Sequence, residues 1–149
     1  MDKKRLTKIL AKAEEYDVAA LSNRIQKMYP PVIIKEPTKA LTMIKMREPV
    51  KQSLFYIGEV IVCEATVEID GTKGFAVLMG DNGEKVLDMA IIDAAVNKGV
   101  FTQTDTLLQL EKQQGEREMR ENALHMKTMV NFESMDQEVP DDVGTFKKA

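Results

Sequence analysis

Carboxylates are the first residues to weigh for chemistry. Glu59 and Glu64 lie in one apolar, alternating stretch, Phe55 to Ile69. Two acids can divide the general-acid and general-base roles when their environments separate their protonation states. An odd separation on a strand sends the two side chains to opposite faces, so these two do not form a pair. A solvated or partner-facing role is the main expectation for them. Glu59 has a separate interest, because it sits between Ile57 and Ile61 directly after Gly58. A glycine inside a strand often marks a bulge, and a carboxylate on an apolar face needs a hydrogen-bonding or cationic partner. A structural hydrogen bond at a bulge is the leading expectation, a functional contact the second. Asp93 lies in Ala90-Ile91-Ile92-Asp93-Ala94-Ala95, in the second half of a predicted helix. An acid there opposes the helix dipole, so a bond to a neighbouring loop or chain is expected to hold it.

Gly80-Asp81-Asn82-Gly83 ahead of a helix has the outline of a phosphate cradle. It lacks the Lys-Ser/Thr ending of a P-loop and the spacing of a dinucleotide fingerprint, and Asp81 and Glu84 would repel a phosphate. The single cysteine, Cys63, excludes an intrachain disulfide and zinc sites built on several cysteines. The single histidine, His125, excludes multi-His metal sites and any Ser-His or Cys-His mechanism centred elsewhere. Cys63 alternates with apolar neighbours and reads as an inert core thiol. His125 reads as a surface or interface group. Methionines number 10; Met119, Met126 and Met129 in the last helical stretch are either core filler or an adaptable partner-binding stripe. The cations Lys3, Lys4, Arg5, Lys8 and Lys12 fit the solvated side of a first helix. No catalytic, cofactor-binding or metal-ligating set emerges.

The elements that must position these residues belong to a chain of 149 residues, 44% apolar, with a net charge of −3. This is one ordinary domain, too apolar for disorder. A net negative chain is a poor nucleic-acid binder. No apolar run approaches the ~20 residues that span a bilayer, and no apolar stretch with a cleavage site follows the basic N-terminus. A cytoplasmic protein is expected.

Leu6, Ile9, Leu10 and Ala13 have the spacing of one helical face. Tyr16-Asp17 interrupts it, and Asp17 is predicted to cap a second short helix with Val18, Leu21, Ile25 and Met28 inward. A single bent helix is the alternative. Pro30-Pro31 ends the helical region. Strands are predicted at Val32-Ile33-Ile34 and from Ala40 to Glu48, separated by Glu36-Pro37-Thr38-Lys39, then from Phe55 to Ile69 and from Thr72 to Met79. Asp70-Gly71 between the last two favours a type I′ turn. That turn pairs Glu68 with Lys73, Thr66 with Phe75, Glu64 with Val77 and Val62 with Met79 on one face. Val67 with Gly74, Ala65 with Ala76 and Cys63 with Leu78 make the other. The second face is small and apolar, suited to a close helix. The first is mixed, and its apolar half lies either under a second helix or under another protein.

Asp81 with Glu84 predicts a capped helix through Val86, Leu87, Met89, Ala90, Ala94 and Ala95, stopped at Gly99. Thr102 with Asp105 predicts the start of a long polar helix through Leu107, Leu108 and Leu110, with Gly115 as a potential bend. Its stripe Met119, Ala123, Met126, Val130 either covers the mixed sheet face or reaches another chain. The fold expected is α+β: an antiparallel sheet with a central β-hairpin, packed by N-terminal helices, a middle helix and a long C-terminal helix. The domain spans 1–135, with an acidic tail at 136–149. Apolar surface left over predicts a homo-oligomer when the chain is alone.

Phe55-Tyr56-Ile57-Gly58-Glu59-Val60-Ile61-Val62, then Gly74, Gly80-Asp81 and Ala90-Ile91-Ile92-Asp93-Ala94, resemble the PhnG subunit family of the carbon–phosphorus lyase core complex. Arg5 with Leu10-Ala11, Glu36-Pro37-Thr38 and Met129-Val130-Asn131-Phe132 are similar too, so the likeness runs from about Arg5 to Met135. Lys39, Val86 and Cys63 depart from the family's usual glycine, alanine and threonine, without removing a reactive group. The resemblance implies an accessory, non-catalytic subunit with PhnI, PhnH and PhnJ as partners. It supports formation of ribose 1-methylphosphonate 5-triphosphate from ATP and methylphosphonate. Nucleosidase chemistry then belongs to PhnI and the iron–sulfur radical step to PhnJ. The alternative is a stand-alone homodimeric enzyme using Glu59 or Asp93 as general base.

Overall fold

Asp70 and Gly71 turn the chain with positive φ at both positions, 45° and 80°, the geometry of a type I′ hairpin whose twist suits its strands. The structure, a computed structural model, describes residues 2–130. The turn joins β2 (Leu54–Ile69) to β3 (Thr72–Met79), and every residue pair expected from it is present. A further strand, β1 (Val32–Arg47), lies antiparallel on the other side of β2, giving a three-stranded sheet in the order β1-β2-β3.

One sheet face is covered. Cys63, Ala65, Val67, Ile69 and Ala76 are buried there beneath α3 (Gly83–Lys98), against Val86, Met89, Ala90 and Ala94. Gly74 permits the close approach: a Cβ on it would collide with the backbone of Ala90 and Ala94. A second layer, α1 (Lys3–Lys12) and α2 (Glu15–Met28), closes over α3 with Leu6, Ile9, Leu10, Val18, Leu21 and Ile25. Each large side chain so buried contributes roughly 1.5–3 kcal/mol before entropy is charged. The long helix α4 (Thr104–Lys127) adds Leu107 and Leu110 and runs along α1. The result is the expected α+β fold.

Local details differ from the sequence expectations. The break between the first two helices falls at Ala13 and Glu14, both extended, so Asp17 lies inside the first turn of α2 and does not cap it. β1 is one strand, not two. Pro37 and its neighbours fall at register irregularities between Ile33 and Thr38, where an edge strand tolerates a missing donor. The cap of α3 is Asn82, whose side chain accepts from the Lys85 N–H at 2.9 Å. Asp81 instead meets Lys39 at 2.6 Å, which gives that family-departing lysine a partner. α4 begins after Gln103 with no side-chain cap, so the Thr102–Asp105 signal does not set its start, and the helix runs unbroken through Gly115. The tail expected from 136 onward and Phe132 lie outside the described residues.

Candidate interaction surface

Asp93 is a structural acid in this fold. Its Oδ2 accepts from the Phe75 backbone N–H at 3.1 Å and from Asn97 Nδ2 at 3.0 Å, with Lys3 Nζ at 3.5 Å. Asn97 also donates to the Lys73 carbonyl at 2.8 Å. These are groups on the outer edge of β3 that a further strand would otherwise take, so two side chains of α3 blunt that edge. The bond expected to a neighbouring loop or chain goes instead to the edge strand β3 of the same chain. The cavity beside Asp93, about 190 Å³, is otherwise lined by Leu6, Thr7, Leu10, Ala76 and Met89 with parts of Phe75 and Val77.

Lys85 is a polar device that the sequence reading missed. Its buried ammonium donates to the Ala11 and Ala13 carbonyls at 2.8 and 2.7 Å, joining α3 to the negative end of α1. Burial pulls its pKa down, opposed by Glu14 and Glu15. A lysine directly before Val86 at the head of an apolar helix face was the available signal. Nearby, burial raises the Asp88 carboxyl, and a hydrogen bond with Ser22 pulls it back.

Glu59 corrects an expectation. It is exposed opposite Met43, and no side-chain hydrogen bond holds it among the described residues. The bulge itself is present next to Gly58: Ile44 and Lys45 pair with Gly58 and Tyr56, leaving Ile57 over. Glu59 and Glu64 lie on opposite faces, as the alternation requires. Glu64 pairs with Lys35. Cys63 is buried and free, and His125 is exposed on α4.

The reason Glu59 is exposed is that the sheet outgrows the body. β3 ends at Met79 opposite Val62, so Leu41–Arg47 and Leu54–Ile61 continue as a two-stranded ribbon, about 20 Å long. Its tip is well built. Glu48 accepts from the Val50 N–H at 3.0 Å and from the Lys51 N–H, and Arg47 donates to the Gln52 carbonyl at 2.9 Å. Leu41 (65% exposed), Met43, Met46, Phe55, Tyr56, Ile57 and Ile61 are all open to solvent. The sheet face opposite α3 is open as well, with Phe75 53% and Met79 69% exposed.

The late helix does not cover that face. α4 lies on α1, held by Arg5 to Glu111 (2.8 and 2.6 Å), Lys12 to Glu118, Arg117 to Glu14 (3.3 Å) and Gln114 to the Ile9 carbonyl (2.9 Å). Hydrogen bonds from Arg5 and Lys12 hold the Glu111 and Glu118 carboxyls below the usual range. Met119, Leu124, Met126 and Val130 remain exposed. Among the described residues no cluster of three or more His, Cys, Asp and Glu could hold a metal, and no helix is long and apolar enough to cross a membrane.

Fold and surface together define a small α+β protein whose largest uncovered features, among the described residues, are the apolar ribbon and the sheet face opposite α3. The chain belongs to the family described as phosphonate metabolism protein PhnG, whose model matches residues 1–137. Comparison with curated proteins finds no match. The family places the chain in phosphonate metabolism.

Proposed function

We propose that this chain is an accessory, non-catalytic subunit of the carbon–phosphorus lyase system, working in the cytoplasm with PhnI, PhnH and PhnJ subunits. In that role it supports formation of ribose 1-methylphosphonate 5-triphosphate from ATP and methylphosphonate. The family match supports this reading, and one observation carries it: a well-formed apolar ribbon that nothing among the described residues covers. An isolated two-stranded hairpin is marginal in water, so a ribbon of this kind fits a subunit completed by others. The alternative, a stand-alone enzyme with Glu59 or Asp93 as base, has less support. The Asp93 Oδ2 already serves three donors, and Glu59 stands on the ribbon away from other reactive groups.

Co-expression with PhnI, PhnH and PhnJ and purification through a tag on this chain tests the proposal. Co-elution is expected, with adenine release from ATP and methylphosphonate when PhnI, PhnH and the ATP-binding PhnL are present. Adenine release by the purified chain alone, abolished by Glu59→Gln, would overturn it.

A further inference from the structure

Asn82 and Gly83 stand at the head of α3, and no other asparagine in the chain precedes a glycine. That dipeptide is chemically reactive, because a residue with no side chain lets its backbone nitrogen close onto the amide carbon before it. The fold imposes both residues. A Cβ on Gly83 would come within 3.0 Å of Pro37 Cβ and 3.9 Å of Cys63 Sγ. Asn82 uses both ends of its amide: Oδ1 accepts from the Lys85 N–H at 2.9 Å, and Nδ2 donates to Glu15 Oε2 at 2.8 Å, joining α3 to the start of α2. An aspartate would cap the helix as well, but it has no hydrogen to give Glu15. The surroundings are already acidic. Asp81 and Glu84 flank the pair in sequence, and burial, then Glu84 and Glu15, push the nearby Asp88 carboxyl up against the pull of Ser22.

We propose that Asn82 is a self-modification site that the fold keeps shut, with the Glu15 hydrogen bond as its bolt. In the reaction the Gly83 nitrogen gives its proton to hydroxide and bonds to Asn82 Cγ. The Cγ–Nδ2 bond breaks, and Nδ2 leaves as ammonia with a proton from water. Water then opens the cyclic imide at either carbonyl, leaving aspartate or isoaspartate at position 82. The nucleophile is available, since the N–H of a first helical residue has no carbonyl of its own helix to bond. Asn82 is only partly buried, so water reaches it. What the folded chain withholds is alignment. With Oδ1 tied to the Lys85 N–H and Nδ2 to Glu15, the amide carbon is held off the Gly83 nitrogen. Breaking the Glu15 bond frees the leaving group and the rotation together. The product does not relatch: a carboxylate at 82 repels Glu15 where the amide bonded it, and the tie between α2 and α3 is lost.

Incubation of the purified full chain at mildly alkaline pH, followed by peptide mapping, tests this. The reaction adds about one dalton at position 82, whereas isomerisation at Asp70-Gly71 changes no mass. The folded wild type should react roughly tenfold or more slowly than the same chain in urea. Glu15→Ala should raise the folded rate about tenfold. Glu15→Gln still accepts from Nδ2 and should keep the wild-type rate, as should Asp17→Ala in the same helical turn, with circular dichroism unchanged in all three. If Glu15→Ala fails to fold, Glu15→Asp, too short to reach Nδ2, takes its place. Asn82→Asp has the product's charge and should melt several degrees below wild type, a difference that Glu15→Ala should erase. The proposal is overturned by a folded rate equal to the unfolded one, by no acceleration in Glu15→Ala, or by equal acceleration in Asp17→Ala. An Asn82→Asp chain as stable as wild type overturns it too.

Discussion

Gly71 and Lys73 sit in one hairpin and are held by different physics. Gly71 has φ of 80°, a region that costs a β-branched residue far more than glycine. Lys73 faces Glu68 in register, yet no ion pair closes between them, and an exposed cross-strand pair is worth only ~0.2–1 kcal/mol. Thermal melts should therefore show Gly71→Val losing clearly more stability than Lys73→Ala; equal, small shifts would contradict the turn assignment. Lys85 is the opposite case, a single cation serving two carbonyls inside the fold. Lys85→Met keeps the volume but orphans the end of α1, and should cost about 2–3 kcal/mol in urea unfolding. Because burial lowers its folded pKa, the wild-type chain should also gain stability as pH rises from that lowered value toward the usual lysine range. The Met variant should lack that gain.

At the scale of elements, α4 is fastened in two ways. Its first turns bury Leu107 and Leu110, while its middle is joined to α1 through Glu111 and Glu118. Both carboxyls have folded pKa values below their unfolded ones. Their contribution is therefore present above the usual carboxylate range and lost as pH falls through the lowered values. These pairs are exposed, so salt screens them too. Hydrogen exchange should show the half of α4 beyond Leu110 loosening on acidification or in high salt before α3 does; equal protection of both helices would refute this. The elements themselves were readable from the sequence where the deciding chemistry is local. The Asp-Gly turn set the whole β2–β3 register, and Gly99, with φ of 79°, ended α3 as read. Caps were misplaced where adjacent polar residues satisfy the same local rule. Asp81 and Asn82 both suit a helix start, and it is distant Lys39 that draws Asp81 away. Pro37 looked like a strand break because the sequence does not show that β1 is an edge with bulges there.

At the scale of the whole molecule, the sequence shows the strands and their faces but not that two of them leave the body as a ribbon. A strand of 16 residues beside one of 8 must overhang; the hydrogen bond expected for Glu59 is absent because alternation says which side a residue takes and nothing about whether anything lies there. The body does not need the ribbon. Among the described residues, the core cluster contains nothing from β1, and of β2 before Cys63 only Val62 is buried. A shortened chain, with Lys45–Ile57 replaced by Asn-Gly so that Ile44 and Gly58 remain partners across a type I′ turn, should therefore fold to the same body. Its melting temperature should stay within a few degrees of wild type, since surface deletions away from the core shift stability little. Association should not survive. The lost apolar side chains make up much of the uncovered surface, and without them the remaining face falls well short of the ~800 Å² a stable partner contact needs. The shortened chain should fail to co-elute with the lyase subunits. A truncated protein that unfolds would place the ribbon in the folding core after all. One that folds and still joins the complex at wild-type yield would move the contact to the exposed half of α4, where Met119, Leu124 and Met126 are exposed apolar anchors.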